Sequence, residues 1–525
     1  MIREEVRNLV KEAILDLQKK DKLSAFDLPE INVDYPPEGF GNYTTNIAII
    51  LAKLIKKSPQ ELANLMRNEL KNNFIFEKIE IAPQGFINFF ISNKTLYLEL
   101  QKILKGKNLD FKKKKEKINL EFISANPTGP LTIGNGRGGT FGDVLGNILR
   151  ATGLQVTKEY YVNDAGVQIK VLGHSVIGDA EAIYSGDYIT ELRKKIKGKN
   201  PIIIGEKAAL LILKDIKNTT KSGMGIKMDV WFSEKSLYKK GKVENIIKLL
   251  REKNLVYEKD GALWFRSFNF GDEKDRVIVK SDGEKTYLAG DFAYHANKFI
   301  ERKFDKAINI WGADNHGDVA RLKAAAEVLG YKNKLEIILM QMVRVIKNGK
   351  EIRMSKRKGV YFTIDALLKE VGSDVFRFFF LMYAPDTHMN FDLDLAKERS
   401  VKNPVFYVQY AYARACSVLR KTKDKKFQTK SVNLNLLTHP SELDLILELI
   451  KLPEIIEDIS KNYQVQRLPQ YAIKIADTFH KFYESVRVLT DDKKVTLARL
   501  HLVFAMQKVL AQTFHLLGIN APKKM

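Results

Sequence analysis

The 525 residues include a single cysteine, Cys416, and only eight histidines. One thiol can neither close an internal disulfide nor build a thiolate zinc site, so structural zinc is not expected. No stretch approaches the run of about 18 uninterrupted apolar residues that a bilayer-spanning helix needs, and no membrane partner is expected. With 32 glycines and 14 prolines the chain is far from collagen, and 45% hydrophobic against 29% charged residues is ordinary for folded domains. The opening MIREEVRNLVKEAILDLQKK mixes acids among its bases in an amphipathic pattern, unlike a signal or transit peptide. A cytoplasmic location is therefore the expectation. What is present in excess is positive charge, 87 Lys and Arg against 63 Asp and Glu, a balance of +24. Such an excess suits a polyanion such as nucleic acid. Lysines spread over solvated faces would give the same number, and charge alone leaves both readings open.

The length predicts about three or four domains. Residues 1–110 read as a small α+β domain: an opening helix, a strand-like INVDY, a helical stretch from Asn46 to Leu70 and a strand pair in KIEIAPQGFINFFIS. The run FKKKKEK at 111–117 reads as a solvated connector, or as a track for phosphates. From 118 strands alternate with helices. INLEFIS leads through a Gly/Pro-rich loop to GDVLGNILRATG, whose Gly153 stands where a helix-terminating glycine belongs. AINIWGAD reads as a buried strand, HGDVARLKAAAEVLG as a helix stopped by Gly330, and LEIILMQMVRVI as one further strand. The alternation predicts a doubly wound parallel sheet over 111–362, with 180–262 as an insertion into it. After Thr363 strands nearly vanish. TIDALLKEVGSDVFRFFFLMY, NPVFYVQYAYARACSVLRK and VTLARLHLVFAMQKVLAQTFHLLG read as long amphipathic helices, a connector at 363–400 and an all-α bundle at 401–525. Aromatics at helical spacing, as in FYVQYAY, favour core packing over a base-stacking platform.

The densest chemical signal starts at Glu121. Three polar residues, Glu121, Ser124 and Asn126, leave the end of one strand, where a doubly wound sheet opens its ligand crevice. A glycine-rich loop and a helix follow, and glycines such as Gly134 and Gly136 let a phosphate approach the amides at the helix start. A second basic element, Arg353-Met354-Ser355-Lys356-Arg357, comes after a strand and an Asn348-Gly349 hairpin signal.

The block EFISANPTGPLTIGNGRGG, followed by EYYVNDAG at 159–166, resembles the first signature of arginyl-tRNA synthetases of the class I type. Similar segments follow in order: MDVWFSEKSLY (228–238), DRVIVKSDGEKTYLAGDFAYHANKF (275–299), WGADNHGDVARLKAAAEVLG (311–330), RMSKRKG (353–359) and the ending LLGINAPKKM. GNYTTNIAIILAK and GFINFFIS carry the resemblance into the front domain. It implies a Rossmann-type catalytic domain, an N-terminal domain touching the tRNA corner and a C-terminal bundle reading the anticodon. It further implies ATP-dependent formation of arginyl-adenylate, with Mg²⁺ on the departing pyrophosphate, and transfer of arginine to the 2′-OH of the terminal adenosine of tRNA(Arg). Activation of arginine would need tRNA present, and the enzyme is expected to be a monomer. A catalytically weakened tRNA-binding paralogue and another class I synthetase remain as alternatives.

One departure stands out. Thr132-Ile-Gly-Asn135 occupies the place of the family's His-x-Gly-His element, whose imidazoles are thought to steady the ATP phosphates. Thr132 and Asn135 can donate neutral hydrogen bonds there but carry no charge. RMSKRKG resembles the family's KMSKS loop, which implies that Lys356, with Ser355, Arg357 and Met354, closes over the triphosphate and stabilises charge on the leaving group. If Lys356 does not, Arg137 is the next candidate. Gly312, Asp314 and His316 fall where such segments contact adenosine. A guanidinium offers a planar fork of five donors, so a site selecting it needs carboxylates. Glu121 and Asp291 are the chosen pair, with Tyr287 as a hydroxyl acceptor, Asn126 toward the amino acid's α-ammonium group and Ser124 as a further arginine-binding residue. Asp291 could instead cap a helix, and Tyr287 could be core.

Overall fold

The structure is a computed structural model that describes residues 1–352, 362–422 and 431–525. Five parallel strands form the central sheet, in the spatial order Leu335–Met340, Lys306–Gly312, Lys117–Glu121, Gln155–Val162 and Val230–Ser233. The first strand sits in the middle with the second and third on one side and the fourth and fifth on the other, so the expected doubly wound sheet is present. Four of the five residues of Lys117–Glu121 are buried, as a strand covered on both faces must be. Winding reverses between Lys117–Glu121 and Lys306–Gly312, and a crevice opens beyond their carboxyl ends.

Two readings need correction. The stretch 180–262 is not wholly an insertion, because Val230–Ser233 is the edge strand of the central sheet and pairs with Glu159–Val162. Outside it stand helices such as Pro201–Asn218 and an antiparallel sheet of Val256–Lys259, Ala262–Phe265 and Arg276–Val279. Likewise LEIILMQMVRVI is two strands, not one. After Met340 the backbone N–H of Gln341 donates to Pro385 O at 2.8 Å, and Val343–Lys347 joins a second sheet beside Met389–Asp392. The Asn348-Gly349 hairpin is present: both residues have positive φ (51° and 70°) between the paired Lys347 and Lys350.

The front domain is a three-stranded antiparallel sheet with helices. Its helical stretch is broken into Ile47–Ile55 and Pro59–Leu70, where Lys56 turns left-handed and Ser58-Pro59 starts a new helix. The C-terminal part is helical, closing with Lys493–Leu517 and a left-handed Gly518. Front domain and bundle meet at Glu454, which accepts from the Arg3 backbone N–H (2.8 Å) and from the hydroxyls of Tyr35 (2.5 Å) and Tyr43 (3.2 Å).

Candidate active site

The helix Ile133–Ala151 delivers its N-terminus to the crevice because its glycines let it lie directly on the first strand. A Cβ at Gly142 would stand 2.4 Å from Phe122 Cγ, and one at Gly139 would stand 2.8 Å from Met224 Cε. Buried ion pairs anchor the same helix. Asp143 accepts from Lys158 Nζ and Arg377 Nη2, both at 2.6 Å, and Arg377 also donates to the carbonyl of Leu517 on the last helix.

The crevice is a cavity of about 960 Å³. The chain enters it in strained form: Ile123 and Ser124 both have positive φ, 69° and 41°, each at a cost of order 1–3 kcal/mol. Neighbours hold that conformation. The Ser124 hydroxyl accepts the backbone N–H of Tyr161 at 3.1 Å, and the Tyr160 hydroxyl donates to Ala125 O at 2.7 Å. Ser124 thus ties two strands together as well as lining the cavity.

Of the residues singled out in the sequence, Glu121, Ser124, Asn126, Thr132, Gly134, Asn135, Asp291, Gly312 and Asp314 line this one cavity. Gly136, Tyr287 and His316 do not. The space freed at Gly136 is taken by Phe376, whose Cζ is 2.8 Å from where a Cβ would be. Tyr287, the first residue of its helix, is 56% exposed. His316 lies on an exposed 3-10 turn. Met354, Ser355, Lys356 and Arg357 lie outside the described residues. Arg137 is not a reserve of catalytic charge: fully buried, it donates to the carbonyls of Gln341 (2.8 Å) and Ala384 (2.7 Å) and so fixes the loop after Met340.

At the helix start, Asn135 Oδ1 accepts both the backbone N–H and the hydroxyl of Thr132 at 3.0 Å. The single Thr132 hydroxyl proton is therefore engaged by its neighbour. This corrects the expectation that both side chains are ready donors. The backbone N–H groups of Asn135 and Gly136 already donate to the Thr132 carbonyl, so the Asn135 amide NH₂ and the Gly134 N–H remain the donors for an anion.

The opposite wall is acidic. Glu121 and Asp291 line the cavity, and Glu234, 4% exposed, is buried in the wall close to Asp291. Glu234 and Tyr238 both approach Gly290, and Tyr161 lies beside Glu234. Burial, reinforced by the negative charges of Glu234 and Glu121, pushes the Asp291 carboxyl up to about 7. Burial pushes Glu234 up to about 7 as well, and its Oε2 has no hydrogen-bond partner. The aromatic lining comes from Tyr161 and Tyr294, with ring centroids 4.5 Å apart. Tyr294 is fixed from behind, its hydroxyl donating to the buried Glu159 at 2.6 Å while Arg302 pairs with the same carboxylate. Sequence reasoning missed Glu234, Tyr161 and Tyr294; for Tyr294 alone a signal was available, the stripe Asp291, Tyr294, His295, Lys298 at i, i+3, i+4, i+7.

On the bundle, FYVQYAY divides. Tyr412 is core, as read, whereas Phe406 and Tyr410 are only partly buried and stack with centroids 6.3 Å apart. The Arg414 guanidinium lies 4.7 Å from the Tyr410 ring and 5.1 Å from that of Tyr483.

Comparison with known proteins gives matches in every part of the chain. Residues 4–91 match the arginyl tRNA synthetase N terminal domain, 179–377 the class I (R) tRNA synthetase catalytic domain and 408–525 the DALR anticodon binding domain. An arginine–tRNA ligase of Caldanaerobacter subterraneus subsp. tengcongensis is 41% identical over 555 aligned positions, covering 100% of this chain and 99% of the relative. An arginine–tRNA ligase of Acetivibrio thermocellus is 40% identical over 559 positions with the same coverage. The arginyl-tRNA synthetase structure of Thermus thermophilus, 20% identical, superposes over 100% of both chains with a TM-score of 0.79, a match of fold.

Proposed function

Since the chain belongs to the arginyl-tRNA synthetases, class I arginine–tRNA ligases, we propose that its acidic wall holds the guanidinium of arginine and that the start of the helix Ile133–Ala151 holds the phosphates of ATP. Glu121 and Asp291 accept from the guanidinium fork, while Glu234 behind them adds negative charge without touching the substrate. Asn126 on the rim meets the α-ammonium group. Gly312 and Asp314, at the carboxyl end of the neighbouring strand, meet adenosine. With the two substrates so placed, arginine's carboxylate attacks the α-phosphorus and pyrophosphate departs. The terminal ribose hydroxyl of tRNA(Arg), the 2′-OH, then attacks the carbonyl carbon of the mixed anhydride and loses its proton as the bond to phosphate breaks and AMP departs. Most of the rate then comes from positioning and from electrostatics.

Mg²⁺ arrives with ATP and supplies positive charge on the phosphate oxygens; the backbone amide of Gly134 and the Asn135 NH₂ hold the rest of the triphosphate. Lys356 and Arg357, with Ser355 and Met354, supply the charge that grows in importance as pyrophosphate leaves, a role assigned from the sequence of their segment. The C-terminal bundle reads the anticodon, for which the Arg414, Tyr410 and Tyr483 group offers stacking faces, and the front domain meets the tRNA corner. The enzyme acts as a cytoplasmic monomer.

The observation that carries this reading is the convergence of two lining carboxylates and a buried third on one side of a cavity at the reversal point of the sheet. Initial rates of tRNA charging by Glu121→Gln and Asp291→Asn test it. Each is expected to raise the KM for arginine by about ten- to a hundredfold, the loss of a hydrogen bond to a charged group, with the KM for ATP little changed. Parent-like KM for arginine in both would refute the assignment.

A further inference from the structure

Lys298 is a charged side chain that no step above uses. It sits in the π-helical turn Asn297–Glu301 that extends the Asp291-bearing helix, and its solvent exposure is 0%. Its Nζ donates to Glu121 Oε2 at 2.7 Å and to Asn309 Oδ1 at 3.0 Å, and lies 4.2 Å from the Tyr294 ring. The connection continues through neutral groups. Asn309 Nδ2 faces His295 Nε2 at 3.5 Å, and His295 Nδ1 is 2.8 Å from the Asp291 carbonyl. A carbonyl accepts only, so the His295 proton is on Nδ1 and Nε2 is the acceptor for Asn309. Burial and the nearby Lys298 charge lower His295 to about 3, which keeps the ring neutral through the working pH range. One chain of contacts therefore runs along the cavity wall from the Glu121 carboxylate to the backbone of Asp291.

The charge count gives this chain a task. Glu121, Asp291 and Glu234 together would bring three negative charges to a site that receives one guanidinium. Left without a cation, buried carboxylates respond by keeping their protons, and a protonated acid is a poor partner for a guanidinium. Arg321 and Lys298 are the two cations that act on Asp291, and Lys298 takes only one oxygen of Glu121.

We propose that Lys298 is a positioning residue for arginine: it holds Glu121 by Oε2 and so presents the other carboxylate oxygen to the guanidinium. The inference rests on the reading of Glu121 and Asp291 as the arginine carboxylates. Lys298 never touches substrate; it acts through Glu121.

The test is steady-state tRNA charging by the full-length Lys298→Met enzyme, with arginine and ATP varied separately between pH 6 and 8.5. The expected result is an arginine KM raised about tenfold or more at pH 7.5, the loss of one hydrogen bond to a charged group. The acid limb of kcat/KM for arginine should move to higher pH, since one of the two cations that lower Asp291, the other being Arg321, has gone. The KM for ATP should stay within about twofold of the parent, which a merely structural lesion would not respect. In the Glu121→Gln background Lys298→Met should add little, because its target is already neutral. If Lys298→Met does not yield folded protein, Lys298→Gln, which keeps a donor but no charge, carries the same expected shift. An unmoved acid limb with parent KM for arginine overturns the proposal, as do parallel rises in both KM values or effects fully additive with Glu121→Gln. If Glu121→Gln itself leaves the arginine KM unchanged, the substrate assignment of Glu121 fails instead, so the two failures are distinguishable.

Discussion

Lowering the pH below about 7 should cost this enzyme its use of arginine well before it costs its use of ATP. Glu234 is carried from its ordinary value of 4.5 up to about 7, and Asp291 from 3.8 up to about 7. At 1.36 kcal/mol per pH unit, that corresponds to at most roughly 3–4 kcal/mol of unfavourable charging free energy for each group in the empty site. The sign follows directly. Both acids are neutral below about 7 and ionised above it, and a guanidinium gains from the ionised form. Initial rates of tRNA charging at subsaturating arginine should therefore fall about tenfold per pH unit below 7 if one proton must leave, and more steeply if both must. The same measurement at subsaturating ATP and saturating arginine should be much flatter. Because the second-largest cause of the Asp291 shift, after burial, is the charge of Glu234, Glu234→Gln should move the acid limb to lower pH. Folding of the empty protein carries the complementary signature. Acids raised on folding bind more protons folded than unfolded, so their contribution to stability is present below about 4 and is lost as pH rises through about 7; arginine should restore more stability at pH 8 than at pH 6. A charging rate at low arginine that stays flat down to pH 6, or a Glu234→Gln limb that moves upward, would refute the reasoning.

Other expectations follow from single contacts. Lys356→Ala should slow single-turnover adenylate formation by on the order of a hundredfold while leaving ATP binding close to that of the parent, the pattern of an interaction made in the transition state. Thr132→Val should be mild, about 1 kcal/mol or a few-fold in the same assay, because the hydroxyl it removes already donates to Asn135. Gly142→Ala puts a methyl 2.4 Å from Phe122 Cγ and should lower stability by about 1–3 kcal/mol, read as a melting temperature several degrees lower. Affinity for tRNA should fall steeply with salt, with the slope of log K against log salt set by the number of phosphates contacted, and a flat dependence would put the +24 charge elsewhere than on the tRNA path.

How much of this was legible in advance depended on whether a residue's neighbours in sequence were also its neighbours in space. Glu121, Ser124 and Asn126 leave one strand end together, and strand ends of a doubly wound sheet face the crevice, so local order sufficed. Gly312 and Asp314 were readable for the same reason. Glu234 was not: a lone acid after a short strand carries no mark of burial, and only the packing of residues 230–234 beside the Gly290 turn brings it to Asp291. Gly136 and Arg137 misled because a glycine-rich helix start looks uniformly like a phosphate cradle. The helix in fact rotates one glycine toward the cavity and the next under Phe376, and sends the arginine to backbone carbonyls behind it. Tyr287 has the right spacing from Asp291, yet as the first residue of its helix it projects beyond the cavity wall. The break at Gln341 could not be read from the strand-like run LEIILMQMVRVI, because it is made by a long-range bond to Pro385.

The central claim is that carboxylates at the reversal point of the sheet select a guanidinium for attachment to tRNA. Charging of total tRNA with each labelled amino acid in turn, by the parent and by Asp291→Asn, tests it most directly. The account predicts that the parent charges arginine alone and that Asp291→Asn loses arginine at low concentration, recovering it only as arginine is raised. Charging of another amino acid by the parent, or an arginine concentration dependence in Asp291→Asn indistinguishable from the parent's, would contradict it.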